Sequence, residues 1–393
     1  MRILIVSMTY PPYMSGLATA TANLSLKLSQ NHSVAVISSS PTKKAQTKTV
    51  NHNLTLHLMP SVSFYNKSQL TFAYPQPKKI EAIIDQFKPD VIHLQDFSPL
   101  CISALNYGKK LKIPVVITHH FTAEYVVESL IPSKIISRRL SHSQITKRII
   151  YKLTNPIYNR CNLVTVPNSS LIPYFKQAKL VSPIISVPNG INTKNFKAKT
   201  NLKSIMNKYQ LKHSRLIIFV GRLDLDKNLN LLLEAFVPIT KHNPDTGLVF
   251  VGVGRQKNKL TNLTRKLKIN HAVYFLGRIN NQQKALSHLY NAATIFANPS
   301  IIENQSVAFI ESLAAGLPIV ASNLPIQTSL IKPNQNGLLF EPNQKEALST
   351  CLQILLSDQK LWKKISKNNL KLSKQFDISH TSHLYLKAYR SLL

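Results

Sequence analysis

Two carboxylates, Glu303 and Glu311, stand eight residues apart, and the stretch between them runs into Val307, Phe309, Ile310 and Leu313. That run has helical spacing, which sets Glu311 inside an apolar helix. A carboxylate so placed needs donors, and the vicinal hydroxyls of a ribose supply two. Glu303, with the N–H groups of the loop through Gln305, Ser306 and Val307, suits sugar hydroxyls. Taken alone, Glu311 also reads as an exposed helix residue. A second cluster, Gly221-Arg222-Leu223-Asp224-Leu225-Asp226-Lys227-Asn228, directly follows the apolar run Leu216 to Val220. Such a loop belongs at the carboxyl edge of a doubly wound sheet, where ligands bind. The Arg222 fork and the Lys227 point charge suit a diphosphate, the plain alternative being a solvated loop.

Two weaker signals accompany these. His119 and His120 close the run Val115 to Ile117. Adjacent side chains point differently, so one histidine is expected to meet a ligand and the other to be structural. Gly16 follows the first apolar run and opens a helical segment, so its backbone can approach an anion. An ordinary strand-to-helix turn accounts for a lone glycine equally well.

These residues need a scaffold that brings strand ends together. Short, β-branched runs at Ile3 to Val6, Val34 to Ile37, Val91 to Leu94, Val115 to Ile117 and Leu163 to Val166 read as buried parallel strands. Helical segments such as Ala18 to Ser29 and Lys78 to Phe87 alternate with them. The pattern restarts at Leu216 to Val220 and continues through Leu248 to Val251, Val273 to Leu276, Thr294 to Ala297 and Pro318 to Ala321. The sequence therefore predicts an α/β protein with two doubly wound domains. The division is placed at residues 1–185 and 186–374, inside a stretch rich in Pro, Asn and Lys. A last helix, His380 to Leu393, carries Leu384, Tyr385, Ala388, Tyr389 and Leu392 on one face that must be covered.

The charge is lopsided. Forty-nine Lys and Arg face sixteen Asp and Glu, a net +33, and no acidic residue lies between Glu128 and Asp224. That field attracts a polyanion: an anionic membrane surface, a nucleic acid or a phosphorylated ligand. Basic stretches interleaved with aromatic residues are missing, which disfavours nucleic acid. Three scattered cysteines, Cys101, Cys161 and Cys351, argue against a disulfide framework or a zinc site and for a reducing compartment. The opening Met1 to Val6 reads as a first strand rather than a signal peptide, because Pro11 and Pro12 cut it short. No run approaches the roughly 18 apolar residues of a membrane span.

In this order the motifs resemble glycosyltransferase family four, of GT-B fold, along essentially the whole chain. Val187-Pro188-Asn189-Gly190-Ile191-Asn192 with Phe196 is similar to the family's interdomain signature. The segment from Val220 to Asn228, the pair Glu303 and Glu311, and Ala315-Gly316-Leu317-Pro318-Ile319-Val320-Ala321 resemble its most specific marks. The resemblance implies two Rossmann-like domains facing across a cleft, with a C-terminal helix at about 375–393 completing the first. It implies Arg222 and Lys227 on the donor diphosphate, Glu311 on the donor ribose, and Glu303 and His120 at the transferred sugar. Gly16 lies near the diphosphate on the same reading. A retaining reaction without a required metal or other cofactor follows from it. Leu17 stands where the family has a second glycine, and Ser306 where a glycine commonly follows Glu303. Both bear on donor preference.

Within the family, His120 to Tyr125 and the basic segment through Val164 resemble bacterial diacylglycerol glucosyltransferases. Ile145, Ile149, Ile150 and Leu153 share one face of an expected helix, with Lys147, Arg148 and Lys152 on the other. With Lys134, Arg138 and Arg139 these cations form an expected membrane-binding surface. The expectation is a hexosyltransferase on the cytoplasmic face of a membrane, moving glucose from UDP-glucose to a lipid such as diacylglycerol. Two alternatives stay open: a transferase of cell-surface polysaccharide or glycoprotein, and a non-catalytic protein of this fold that binds membrane or polyanion.

Overall fold

The structure, a computed structural model, describes all residues except Met14, Lys43, 64–70, 74–75, 121–142, 198–200 and 280–282. The chain forms two compact units. One comprises Met1–Gly190 with Ile378–Leu393, the other Ile191–Asp377.

The first unit is built on strands β1 (Arg2–Ser7), β2 (Ser33–Ser39), β3 (Gln46–Asn51), β4 (Leu54–Met59), β7 (Val91–Leu94), β8 (Val115–Thr118), β9 (Leu163–Val166) and β10 (Ile184–Ser186). A separate short pair, β5 (Ser61–Ser63) and β6 (Thr71–Ala73), lies between β4 and β7 in the chain. The large sheet runs in the order β10-β9-β8-β7-β1-β2-β4-β3 and is parallel except for the edge hairpin of β3 and β4. Ile3, Leu4, Ile5 and Val6 of β1 are fully buried on both faces. A strand covered by helices above and below reads as a continuous apolar run, not an alternating one. The described helices of this unit are α1 (Gly16–Leu28), α2 (Pro77–Phe87), α3 (Pro99–Lys110), α4 (Gln144–Tyr158), α5 (Ile172–Gln177) and the chain's last, α14 (Ile378–Arg390). Tyr385, Ala388 and Tyr389 of α14 are buried in the cluster that holds Ile3, Val36 and Val116, and α14 packs beside α1. The apolar stripe at the chain's end is thereby covered.

The second unit holds β11 (Arg215–Val220), β12 (Thr246–Val251), β13 (Val273–Gly277), β14 (Ile295–Asn298), β15 (Ile319–Ser322) and β16 (Gly337–Phe340). Its described helices are α6 (Leu202–Lys208), α7 (Leu229–His242), α8 (Lys257–Lys266), α9 (Gln283–Ala292), α10 (Val307–Ala314), α11 (Pro325–Thr328), α12 (Lys345–Ser357) and α13 (Gln359–Leu372). The sheet is wholly parallel, in the order β13-β12-β11-β14-β15-β16. Numbered within the unit this is the doubly wound 3-2-1-4-5-6 arrangement, and its direction reverses between β11 and β14. In the first unit the reversal lies between β1 and β7. The loops leaving these paired strands must therefore meet, and the loops leaving β11 and β14 carry the sequence's two strongest motifs.

One close approach fixes the loop after β11. A Cβ on Gly252 would fall 1.9 Å from the Gly221 carbonyl oxygen, and one on Gly254 2.4 Å from that of Leu223. The chain leaving β12 thus lies against the chain leaving β11, backbone to backbone, which only glycine permits.

Candidate active site

At the reversal in the second unit, Ile301 N–H donates to the Asp226 carbonyl at 2.9 Å and ties the β14 loop to the β11 loop. Lys227 then reaches Glu303, Nζ to Oε1 2.8 Å, and Asp226, Nζ to Oδ2 3.3 Å. Arg222 pairs with Asp224 and, at 3.2 Å, with Asp226. Arg255, from the β12 loop, lies 3.6 Å from Asp224. The Lys227 side chain is 15% exposed and its carboxylate partners 10%, so these charges interact with little screening. Burial pulls the Lys227 ammonium down, but Glu303 and Asp226 outweigh it and leave its pKa raised. Burial likewise pushes Asp226 up, and the charges of Lys227 and Arg222 reverse this to a lowered value. Lys227 is therefore held in its charged form, and it and Arg222 are fixed in place by the acids around them. The motif alone marks Asp224 and Asp226 only as loop residues. The alternation of acids and bases around Arg222 is the signal for their role.

Glu311 sits in α10, 7% exposed, which excludes the solvent-facing alternative. Its Oε2 accepts from the Tyr290 hydroxyl at 2.9 Å, and burial pushes its pKa up to about 7. Tyr290, fully buried in α9, belongs to no motif, and nothing in the sequence marks it for this place. Ser306 is the N-cap of α10 and its side chain makes no capping bond, while Gln305 and Val307 beside it are buried. The first-turn N–H groups of α10 and its positive end thus remain suited to an anion or a hydroxyl oxygen.

In the first unit, Gly16 opens α1, whose N-cap Ser15 accepts from Ala18 N–H at 3.0 Å. Leu17 turns into buried surroundings, 7% exposed. Asp96, after β7, accepts from Met8 N–H at 2.6 Å and Ser98 N–H at 2.8 Å, locking the loops that leave β1 and β7. The histidines after β8 separate as adjacent residues must. His119 is 4% exposed, bonded to the Tyr158 hydroxyl at 2.7 Å and packed edge-on against Phe175. His120 is only partly buried and bonds Gln95 at 3.0 Å through Nε2.

Burial, helped by the neighbouring His120, lowers His93 and His119 to about 3, and burial lowers His120 to about 4. Such histidines stay neutral where the unfolded chain takes up protons. Their contribution to stability is full above the ordinary 6.5 and is lost as pH falls towards those lowered values. Urea midpoints are expected to drop steadily as the medium is acidified below 6.5. A midpoint that rises on acidification would contradict this burial.

The basic segment divides. Lys134, Arg138 and Arg139 lie outside the described residues, as does the Lys147 side chain. Arg148 and Lys152 are exposed on α4. The two-faced reading of this helix needs correction. Its packed face is Tyr151, Asn155 and Tyr158, whereas Ile145, Ile149 and Leu153 are 73%, 52% and 70% exposed and Ile150 is intermediate. The exposed side therefore carries an aliphatic row at fourfold spacing beside two cations. Among the described residues no helix is long and apolar enough to cross a membrane.

Comparison with known proteins agrees with this geometry. Residues 14–195 match the family described as Glycosyltransferase Family 4, and residues 203–372 match Glycosyl transferases group 1. The alpha-monoglucosyldiacylglycerol synthase of Acholeplasma laidlawii is 26% identical over 352 residues, spanning 88% of this chain and 86% of that protein. The enzyme of the same name from Streptococcus pneumoniae is 27% identical over 348 residues, 86% and 75% of the two chains. Among solved structures, sucrose-phosphate synthase from Thermosynechococcus elongatus superposes with a TM-score of 0.78 at 18% identity, covering 100% of this chain and 98% of its own. Anabaena HepE in complex with UDP-glucose gives a TM-score of 0.77 at 16% identity, each chain covered in full (100%). The two structures establish the GT-B fold.

Proposed function

The chain belongs to the family-four glycosyltransferases and is a hexosyltransferase, and on that footing we propose that it moves glucose from UDP-glucose onto the hydroxyl of diacylglycerol or a similar membrane lipid. The observation that carries the donor side is the Arg222, Lys227 and Glu303 cluster at the sheet reversal of the second unit, with Glu311 buried beside Tyr290. Arg222 and Lys227 take the diphosphate and stabilise it as the bond to the anomeric carbon breaks. This is the part a divalent cation plays elsewhere, so the reaction needs no metal for donor binding. The first turn of α10, with Gln305, Ser306 and Val307, adds N–H donors, and Glu311 accepts from the ribose hydroxyls. From the family resemblance we also assign to Glu303 and to His120 the bonding of hexose hydroxyls, and to the helix start at Gly16 a part in binding the diphosphate. The acceptor hydroxyl attacks the anomeric carbon on the face the diphosphate leaves, and its proton passes to the departing phosphate oxygen, with retention at the anomeric centre.

The acceptor side rests on two supports: the relatives named as glucosyldiacylglycerol synthases, and the exposed row of Ile145, Ile149 and Leu153 beside Arg148 and Lys152. A helix of that kind lies in a membrane interface, its aliphatic side among acyl chains and its cations at anionic headgroups. Each cation near such a surface adds about 1 kcal/mol. The proposed place of action is thus the cytoplasmic face of the membrane, reached by attachment rather than by a span. The test is a panel of acceptors offered with UDP-glucose: diacylglycerol in anionic vesicles, the same lipid in neutral vesicles, and soluble glycans. Glycolipid formed fastest on anionic vesicles is expected. Transfer to soluble glycans alone, or net hydrolysis of the donor, would remove the lipid assignment, and vesicle binding with no turnover of any sugar nucleotide would support a non-catalytic role.

A further inference from the structure

His120 is reached from the chain's last helix by a row of buried side chains. On α14 the Tyr389 hydroxyl lies 2.6 Å from His93 Nδ1, and His93 Nε2 lies 2.7 Å from the Thr118 hydroxyl. The Gln95 amide nitrogen lies 3.2 Å and 3.1 Å from the two ring nitrogens of His93, and its oxygen Oε1 lies 3.0 Å from His120 Nε2. His93 is fully buried and Gln95 is 2% exposed, so neither can exchange these partners for water. Both ring nitrogens of His93 are engaged by hydroxyls, which leaves its electron-rich ring surface towards Gln95. That surface favours an amide N–H and repels a carbonyl oxygen. The amide is therefore oriented with its nitrogen to His93 and its oxygen to His120.

A carbonyl oxygen only accepts, so His120 Nε2 carries the proton. A neutral imidazole has one N–H, so Nδ1 is left as a bare acceptor, and it makes no bond among the described residues. From this we infer that Gln95, seated through His93 on Tyr389, is a positioning residue that fixes His120 as its Nε2–H tautomer and presents Nδ1 as an acceptor for a hydroxyl of the transferred hexose. The inference rests on the proposed placing of His120 at that sugar. The lowered pKa of His120, caused by burial, keeps the ring in this neutral form. A lone pair also suits the reaction better than an N–H would. The sugar ring gains positive charge as its bond to the diphosphate breaks, and the positive end of an N–H dipole would oppose that.

The test is histidine-selective nitrogen NMR on the full-length protein, the His120 signal being identified by its loss in His120→Phe. The wild type is expected to show a protonated Nε2 and an unprotonated Nδ1. Gln95→Met, similar in length and without an acceptor, is expected to raise the Nδ1–H population. It should also lower kcat by roughly tenfold or more while UDP binds as before, as for a group acting mainly in the transition state. A protonated Nδ1 in the wild type overturns the inference, and the wild-type spectrum decides this even if the variant does not fold. An unchanged tautomer in a folded Gln95→Met also overturns it, whatever the activity. Neither reading depends on turnover, so a failure of the proposed function would show separately, as no transfer from any sugar nucleotide by the wild type.

Discussion

Replacing Lys227 with alanine is expected to lower kcat/KM for transfer by about 10²- to 10³-fold, the scale of losing one preorganised charge at a developing anion. Lys227 is held 2.8 Å from Glu303 and 3.3 Å from Asp226 with its pKa raised, so it is charged at any working pH and its position is set before the donor binds. Alanine removes the cation that would face the diphosphate and leaves two carboxylates without the charge between them. The variant should therefore also unfold earlier, and secondary structure must be checked beside activity. Sedimentation with anionic vesicles is expected to be unchanged, because the exposed row on α4 belongs to the other unit. Equal loss of transfer and of vesicle binding would contradict this division of roles. Arginine at the same position is expected to restore little, since a planar fork does not fit a place shaped around one ammonium between two carboxylates.

Glu311→Gln should give the opposite pairing: a more stable ligand-free protein that binds donor poorly. Burial raises Glu311 from 4.5 to about 7, so the fold retains a proton where the unfolded chain has lost it. The sign follows from that. The contribution of this one group to native stability is undiminished below 4.5 and is lost as pH rises through about 7. At about pH 8 the ionised side chain costs the fold about 3 kcal/mol, since each tenfold change in proton affinity is worth roughly 1.4 kcal/mol. Glutamine keeps an oxygen for the Tyr290 hydroxyl and carries no charge. Urea midpoints of the variant should exceed those of the wild type at about pH 8 and converge with them in acid. Donor affinity should fall on the order of a hundredfold, the scale of hydrogen bonds to a charged acceptor. Wild-type binding near neutrality should release a proton, because ribose hydroxyls stabilise the ionised form. A destabilised Glu311→Gln that still binds UDP normally would show that the carboxylate serves packing and not the donor.

The parallel strands and the restart of the pattern are legible because buried strands write themselves as continuous β-branched runs. Glu303, Glu311, Arg222 and Lys227 are legible because loops leaving adjacent strands at a sheet reversal converge. What the sequence does not disclose depends on long-range contact. Tyr290 lies on a helix with no motif and meets Glu311 only after α9 packs on α10. His93 and Gln95 end a strand, which hints at a site, but their tie to Tyr389 joins residues 296 positions apart. Helix α7 runs through Pro238, a residue that by itself reads as a helix stop, and ends at His242 with Ile239 fully buried. On α4 the aliphatic row is visible, yet periodicity alone does not tell that Tyr151 and Tyr158 take the packed face and leave the row exposed.

The central claim is that the cluster around Lys227 and Glu311 is a sugar-nucleotide site. Calorimetric titration of UDP-glucose into the wild-type protein in excess chelator tests it most directly, with Lys227→Ala and Glu311→Gln beside it. Saturable binding that UDP displaces, that survives the chelator and that both variants weaken is the predicted result. Binding that appears only with added divalent metal, or that neither variant alters, would contradict it.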